Sequence, residues 1–388
     1  MDLGLSEDQE FFQETTRKFL ESELPLASVR RLADEPSGFD RAWWRRGAEL
    51  GWTSMLVPEA WGGGSLAGEG LLDLVIVAEE MGRLVSPGPL LATNVVADAV
   101  STRGTREQQE AVLPAIVAGA AVASWAFLEP SGRWRPEAVR LEATPHNDGF
   151  LLRGIKSHVE AVREADHFLV TARTREGLTQ FLVPADSRGL ERTPMESLDL
   201  VRRFGELRFD EVELPASALL GERGGAAEDV ERQLQVALAI QCAETVGVVD
   251  RVFEFTLAYM FDRFSFGRPL ASYQALKHRV ADMKLWLEAS HATANAAARA
   301  VQARSAEAGR LASVAKAYIG DCATAIIQEC VQMHGGMGVT WEHDIHLYLR
   351  RATVNRVEYG TPVEHRERIA VDMGLDNAEV ASPGQEVG

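Results

Sequence analysis

Several things are scarce in these 388 residues. There are three cysteines, Cys242, Cys322 and Cys330, and none forms a CxxC pair. That usage suits a reducing cytoplasm. Positive charge is also short. Lys and Arg number 40 against 57 Asp and Glu, leaving a formal charge of −17. A chain this acidic, with no basic tract, argues against nucleic acid as a partner. No apolar run is long enough to span a bilayer. The start, Met1-Asp2-Leu3-Gly4, is acidic and has no signal-like apolar core, so a cytoplasmic protein without membrane contact is expected. No GxGxxG follows a strand, and there is no Walker A or GxSxG motif. Nicotinamide, nucleotide-hydrolase and serine-hydrolase chemistry therefore lack support.

What is present is ordinary globular composition, 46% hydrophobic and 25% charged, in a chain long enough for two or three domains. Two capping boxes, Ser6 to Gln9 and Thr105 to Gln108, open helices. Further helices are predicted over 40–50, 71–84 and 105–117. Near Ala120 the period changes. Short apolar runs at 150–152, 167–171 and 180–183, and strict alternation over 206–209, predict strands. From about Gly225 the helical period returns over 231–260, 274–300 and 305–333. The fold class expected is α+β, mostly α. It comprises an N-terminal helical domain (1–120), a small antiparallel β-barrel or sheet domain (121–225) and a C-terminal four-helix bundle (226–376). Residues 377–388 are expected to form a disordered tail.

The most informative stretch runs from Gln332 to Thr361. Gly335, Gly336 and Gly338 stop a helix; an amphipathic segment follows, and Glu358-Tyr359-Gly360-Thr361 forms a second turn. A second signature is Arg263-Phe264-Ser265-Phe266-Gly267-Arg268-Pro269-Leu270, followed by Tyr273-Gln274. Together these stretches resemble the acyl-CoA dehydrogenase family, and the resemblance covers roughly residues 3–373. It implies FAD as cofactor and an acyl-CoA substrate, with removal of a proton from Cα and a hydride from Cβ. It also implies FAD contacts from Arg263, Ser265, Phe266 and Gln274, with Arg263 offering forked donors to the pyrophosphate. Gln332, Gly335 and Gly336 would reach the dinucleotide across a subunit interface, and Thr361 would be a further contact. The bland readings are a Gly-Pro loop between helices and a glycine helix stop; the second is compatible with ligand binding.

The departures from the family matter more. The family's last turn reads Tyr-Glu-Gly-Thr, and its Glu is usually the base. Here Tyr359 holds that position. The alternative base position falls on Ala237. Leu128 replaces a flavin-lining Thr, the glycine-serine loop after Pro130 is truncated, and Glu160 replaces a Thr that donates to the flavin ring. A carboxylate cannot donate and would repel the reduced ring. Glu358 is the remaining candidate base beside Tyr359, whose phenol is a poor base at neutral pH; Glu358's structural alternative is an ion pair with Arg356 or another Arg. Glu244 and Glu254 read as solvated or capping helix residues. His343 and His346 begin a surface helix, and no metal site is expected.

This pattern resembles the non-base subunit of steroid-degrading α2β2 acyl-CoA dehydrogenases. There the partner subunit gives the base and the ring pocket. The expected partners are a homologous subunit or a second copy, and electron-transfer flavoprotein or another electron acceptor. A stand-alone flavoenzyme using Glu358, and a flavin-free structural homologue, remain as alternatives.

Overall fold

The computed structural model describes residues 4–35 and 37–375; the expected tail lies outside them. The N-terminal third is helical: α1 (Glu7–Glu23), α2 (Leu26–Leu32), α3 (Arg41–Glu49), α4 (Gly70–Arg83), α5 (Leu90–Arg103) and α6 (Arg106–Val117). Both capping boxes form, at the starts of α1 and α6. Residues 90–100 of α5 are all buried, because the helix runs between the first strand and the long helix that follows the sheet. Its polar side chains are therefore bonded inward, Thr93 to the Ala123 carbonyl at 3.0 Å and Asn94 to the Trp52 carbonyl at 2.9 Å, as burial requires.

The middle third holds β1 (Ala123–Ala126), β2 (Glu142–His146), β3 (Gly149–Glu160), β4 (His167–Arg173), β5 (Leu178–Pro184), β6 (Leu190–Met195), β7 (Phe204–Pro215) and β8 (Leu219–Leu220). They form one sheet in the order β6-β7-β3-β2-β4-β5-β8, with β1 added beside β4. The expected antiparallel sheet is instead mixed. β1 pairs parallel with β4, and β2 touches β4 in parallel through Glu142 and Arg173. The reason is connectivity: the chain between β1 and β4 is long enough to hold the β2–β3 hairpin, and such a crossover permits parallel pairing.

The last third begins with α7 (Ala227–Asp262). A two-stranded hairpin follows, β9 (Phe264–Ser265) and β10 (Arg268–Pro269). Then come α8 (Gln274–Gln302), α9 (Ala308–His334), α10 (Ile345–Val357) and α11 (Pro362–Asp372). Helices α7 to α10 pack as a bundle, with α11 laid on α9. α4 joins it by a close crossing on α7. A Cβ on Gly247 would lie 1.9 Å from the Glu79 carbonyl, and one on Gly82 would lie 2.0 Å from the Glu244 carbonyl. Only glycine permits this approach.

Candidate active site and cofactor surface

Two regions carry the residues singled out in the sequence. The first lies where the sheet meets the bundle, around the turn after α10. Tyr359 sits there with φ 64, a left-handed backbone that costs a bulky residue energy. Three groups hold the turn. Lys316 of α9, fully buried, donates to the Glu358 carbonyl at 2.7 Å and also to the Asn355 carbonyl and Gln241. His365 of α11 contacts the Tyr359 carbonyl at 2.9 Å. Thr361 caps α11, accepting from the Glu364 amide and donating to its carboxylate. Burial lowers Lys316 to about 8 and His365 to about 3.

The Tyr359 ring is buried among aromatics. Its centroid is 4.7 Å from that of Trp134 and 6.0 Å from that of Trp125, the latter nearly coplanar at 14°. Trp125 and Trp134 both stack on Phe127. Trp134 reaches this cluster from the truncated loop after β1. Burial raises the Tyr359 phenol well above its usual range, and Glu160 and Glu358 add to the rise.

Beside this cluster is a buried ion lattice. Arg202, from the loop between β6 and β7, donates to Glu160 at 2.9 Å and takes both oxygens of Glu244 at 3.0 Å. It also reaches Asn355 at 2.7 Å. Arg351 of α10 pairs with Glu244 at 2.7 Å and with Asp199. Five charged groups, two cationic and three anionic, thus join the end of β3, the β6–β7 loop, α7 and α10. Burial raises Glu160 despite Arg202. Glu244 is held below the usual carboxylate range, because Arg202 and Arg351 outweigh its burial.

These contacts correct three readings. Glu244 is no solvated helix residue but the centre of the lattice; Glu254 is exposed and pairs with Arg83. Glu160 does not face an unpartnered repulsion, since Arg202 neutralises it. Glu358 makes no ion pair with Arg356, which pairs with Asp321 at 2.9 Å. Instead Glu358 Oε2 is buried without a hydrogen-bond partner among the described residues. Burial raises its carboxyl to about 7 against the pull of Lys316 and Arg202. Ala237 and Leu128 are buried core residues. Sequence reasoning missed Arg202, Asp199, Arg351, Lys316 and Trp134. The one available signal was charge that an apolar stretch would have to bury, as at Arg351 after Leu347 and Leu349.

The second region is one end of the bundle. The ends of α7 and α9 meet there: the Tyr259 and His334 rings are 4.3 Å apart, and Thr256 contacts His334 at 3.2 Å. Arg263, Phe266, Gln274, Gln332, Gly335 and Gly336 are all exposed at this end, and Ser265 is half-buried. Phe266, 97% exposed, and Gly267 form the two-residue hairpin turn with φ 50 and 81. Two positive φ values suit the twist of a tight hairpin. The Tyr273 hydroxyl fixes the hairpin by donating to the Ser265 carbonyl at 2.8 Å. Gly335 ends α9 with φ 61, and no atom lies within 4 Å of where a Cβ on Gly335 or Gly336 would be. His343 packs against His334 and His346 against Trp341.

A helical layer, a mixed sheet and a helix bundle meeting at such a site define an acyl-CoA dehydrogenase fold. Residues 6–120 match the N-terminal domain of acyl-CoA dehydrogenases and residues 227–374 the C-terminal domain. The chain belongs to this family of FAD-dependent oxidoreductases. Among its relatives is the acyl-CoA dehydrogenase IpdE2 of Mycolicibacterium smegmatis. The two are 28% identical over 371 residues, covering 95% of this chain and 100% of the relative. A variant of the Tcur3481-Tcur3483 steroid ACAD is 30% identical with a TM-score of 0.86, covering 97% of this chain and 100% of that one. The ChsE4-ChsE5 complex from Mycobacterium tuberculosis contains a chain 25% identical with a TM-score of 0.86, covering 98% and 100%. No helix among the described residues is long and apolar enough to cross a membrane.

FAD, the family's cofactor, supplies a two-electron acceptor when bound. The two regions fit it unequally. The bundle end offers an exposed guanidinium, Arg263, unpaired among the described residues, with an exposed amide and an open glycine turn, which suit a diphosphate and its nucleoside. The sheet–bundle junction is filled by Tyr359, Trp134 and the Glu160–Arg202–Glu244 lattice, and does not suit a flavin ring.

Proposed function

We propose that this chain is the non-base subunit of a heteromeric acyl-CoA dehydrogenase. In this reading a homologous partner subunit supplies the base and the ring pocket. This chain supplies the bundle end, with Arg263 on the pyrophosphate and Gln274, Gln332, Gly335 and Gly336 around the dinucleotide. The observation that carries the proposal is Tyr359 at the base position, locked in place and covered by Trp125 and Trp134. A buried phenol with a raised pKa cannot take a proton from a thioester α-carbon at neutral pH. Exposed Phe266 supports the reading. Its ring gains nothing from this chain, as expected of a residue covered by a partner or ligand.

The substrate proposed is a bulky CoA thioester of steroid origin, and the electrons pass to electron-transfer flavoprotein or a comparable acceptor in the cytoplasm. Similarity to the steroid ACAD and to the ChsE4-ChsE5 complex supports both the substrate class and the heteromer. The domain division at about residues 120 and 225 belongs to the same proposal. One observation favours a second reading, a stand-alone enzyme using Glu358: its carboxyl sits near 7 with an unpaired oxygen, a suitable basicity for proton abstraction. The test is flavin absorbance and dye reduction by the purified chain, alone and co-expressed with a homologous subunit carrying the family Glu. The heteromer requires colour and turnover from the pair only. A yellow, active single chain overturns it.

A further inference from the structure

Outside the lattice, three helices bring together a set of side chains that the proposed reaction does not use. Glu79 of α4, Asp250 of α7 and His291 of α8 place one ligand atom each within 4.8 Å of one another. The glycine crossing dictates this. Gly247 lets α7 close onto the Glu79 backbone, and Asp250 follows three residues later on the same helix face. His291 then reaches Asp250 at 3.0 Å from the third helix.

The surrounding charges are committed elsewhere. Glu80 pairs with Arg17 at 2.6 Å, Arg83 with Glu254 at 2.5 Å, and Lys284 with Glu288 at 2.5 Å. The Glu79 carboxylate has no hydrogen bond or ion pair among the described residues, although it is packed between helices beside a second carboxylate. Burial disfavours its charge; His291 and Arg83 pull the other way, while Asp250 and Glu80 add to the cost.

We propose that Glu79, Asp250 and His291 bind a divalent transition-metal ion of the zinc kind, which clamps α4, α7 and α8 at their crossing. The donor set is two carboxylate oxygens and one imidazole nitrogen, which suits zinc with water completing the shell. An ion about 2.0–2.2 Å from each donor needs donors no more than about 4.4 Å apart, so small side-chain rotations complete the site. All three residues are partly solvent-accessible, which leaves an entry path. The inference is independent of the catalytic reading.

The test uses tag-free protein, stripped with EDTA and titrated with Co²⁺ as a spectroscopic probe, then with competing Zn²⁺. The expected result is one equivalent bound, a visible d–d band, loss of the band on Zn²⁺ addition, and a rise in Tm. His291→Asn and Glu79→Gln should each weaken binding by more than ~10-fold, at least the loss seen when outer-shell partners are removed. Far-ultraviolet circular dichroism checks that both variants fold. X-ray absorption on the wild-type complex should show a single imidazole, which keeps the proposal testable if a variant misfolds. A control variant, His343→Ala with His346→Ala, should bind normally. Absence of any band or Tm shift overturns the proposal. So does a band that survives in His291→Asn and vanishes in the control, which would place the ion on surface histidines.

Discussion

The sheet–bundle junction and the bundle end have had opposite fates in one chain. At the junction, large side chains and five buried charges fill the space between the sheet and α7. At the bundle end, the hairpin and glycine turn stand open, with Phe266 and Arg263 exposed. The scaffold tolerates both because each is local. The junction is lined by side chains from several separate elements, which substitution can enlarge inward. The bundle end is made by backbone turns whose shape depends on Gly267 and Gly335. On the proposed function, a chain with a filled junction keeps a surface that completes a partner's ring pocket.

The comparison breaks most visibly in catalysis. The isolated chain should show no acyl-CoA dehydrogenase turnover above background. Assembly with a base-carrying homologue should raise it by at least ~10²–10⁴-fold, the usual worth of a positioned general base. Tyr359→Glu alone should leave the chain inactive, because Trp125 and Trp134 still occupy the junction. Dye-coupled assays on the chain, the variant and the pair check this. Activity in the Tyr359→Glu chain alone would mean that the junction opens, and that only the base was lost.

Next in size is stability. If the lattice joins sheet to bundle, Arg202→Met strands Glu160 as a buried carboxylate and leaves Glu244 to Arg351 and Asn355. Removing one partner of a buried pair costs about 3–5 kcal/mol. Urea unfolding of the variant against the parent measures it, and a loss under about 1 kcal/mol would show that the lattice does not hold the junction.

These contrasts also show what the sequence displayed. The helical spans, the capping boxes at Ser6 and Thr105 and the Arg263 and Gln332 turns were legible, because each rests on local spacing. Tyr359 was legible as a substitution at a fixed distance from Gln332. The partners of Glu244 and Glu160 were not. Asp199 and Arg202 lie in a loop, Arg351 in a helix 149 residues later, and no local pattern links them. β6 was missed because its middle residues are exposed and show no alternation. The parallel pairing of β1 and β4 is likewise a property of the whole sheet. Glu79, Asp250 and His291 come from three helices, two of which approach closely at Gly82 and Gly247, and no local pattern links them.

The bundle end is sharpened by Arg263→Ala. Losing a charged hydrogen bond to a diphosphate costs roughly 1.5–3 kcal/mol. The assembled protein should then lose flavin on dialysis, with subunit composition unchanged by sedimentation. Full flavin occupancy would remove Arg263 from the cofactor surface.

The smallest expected effect is at Glu358, where it decides between the two functional readings. Burial raises its carboxyl from 4.5 to about 7. Between those values the native chain holds a proton that the unfolded chain has released. Native protein therefore binds more protons in that window, and stability falls as pH rises through it. Above about 7 the carboxylate is ionised in both states, and the cost of burying it is complete. Glu358→Gln removes this group's titration. Denaturant unfolding from pH 4.5 to 8 should show the variant gaining on the parent as pH rises, with the difference levelling off above about 7. If the partner carries the base, as proposed, turnover of the assembled enzyme should match the parent at equal flavin content. A variant with normal flavin and turnover reduced ~10²–10⁴-fold would instead make Glu358 the base. The filled junction would then have to open in the working enzyme.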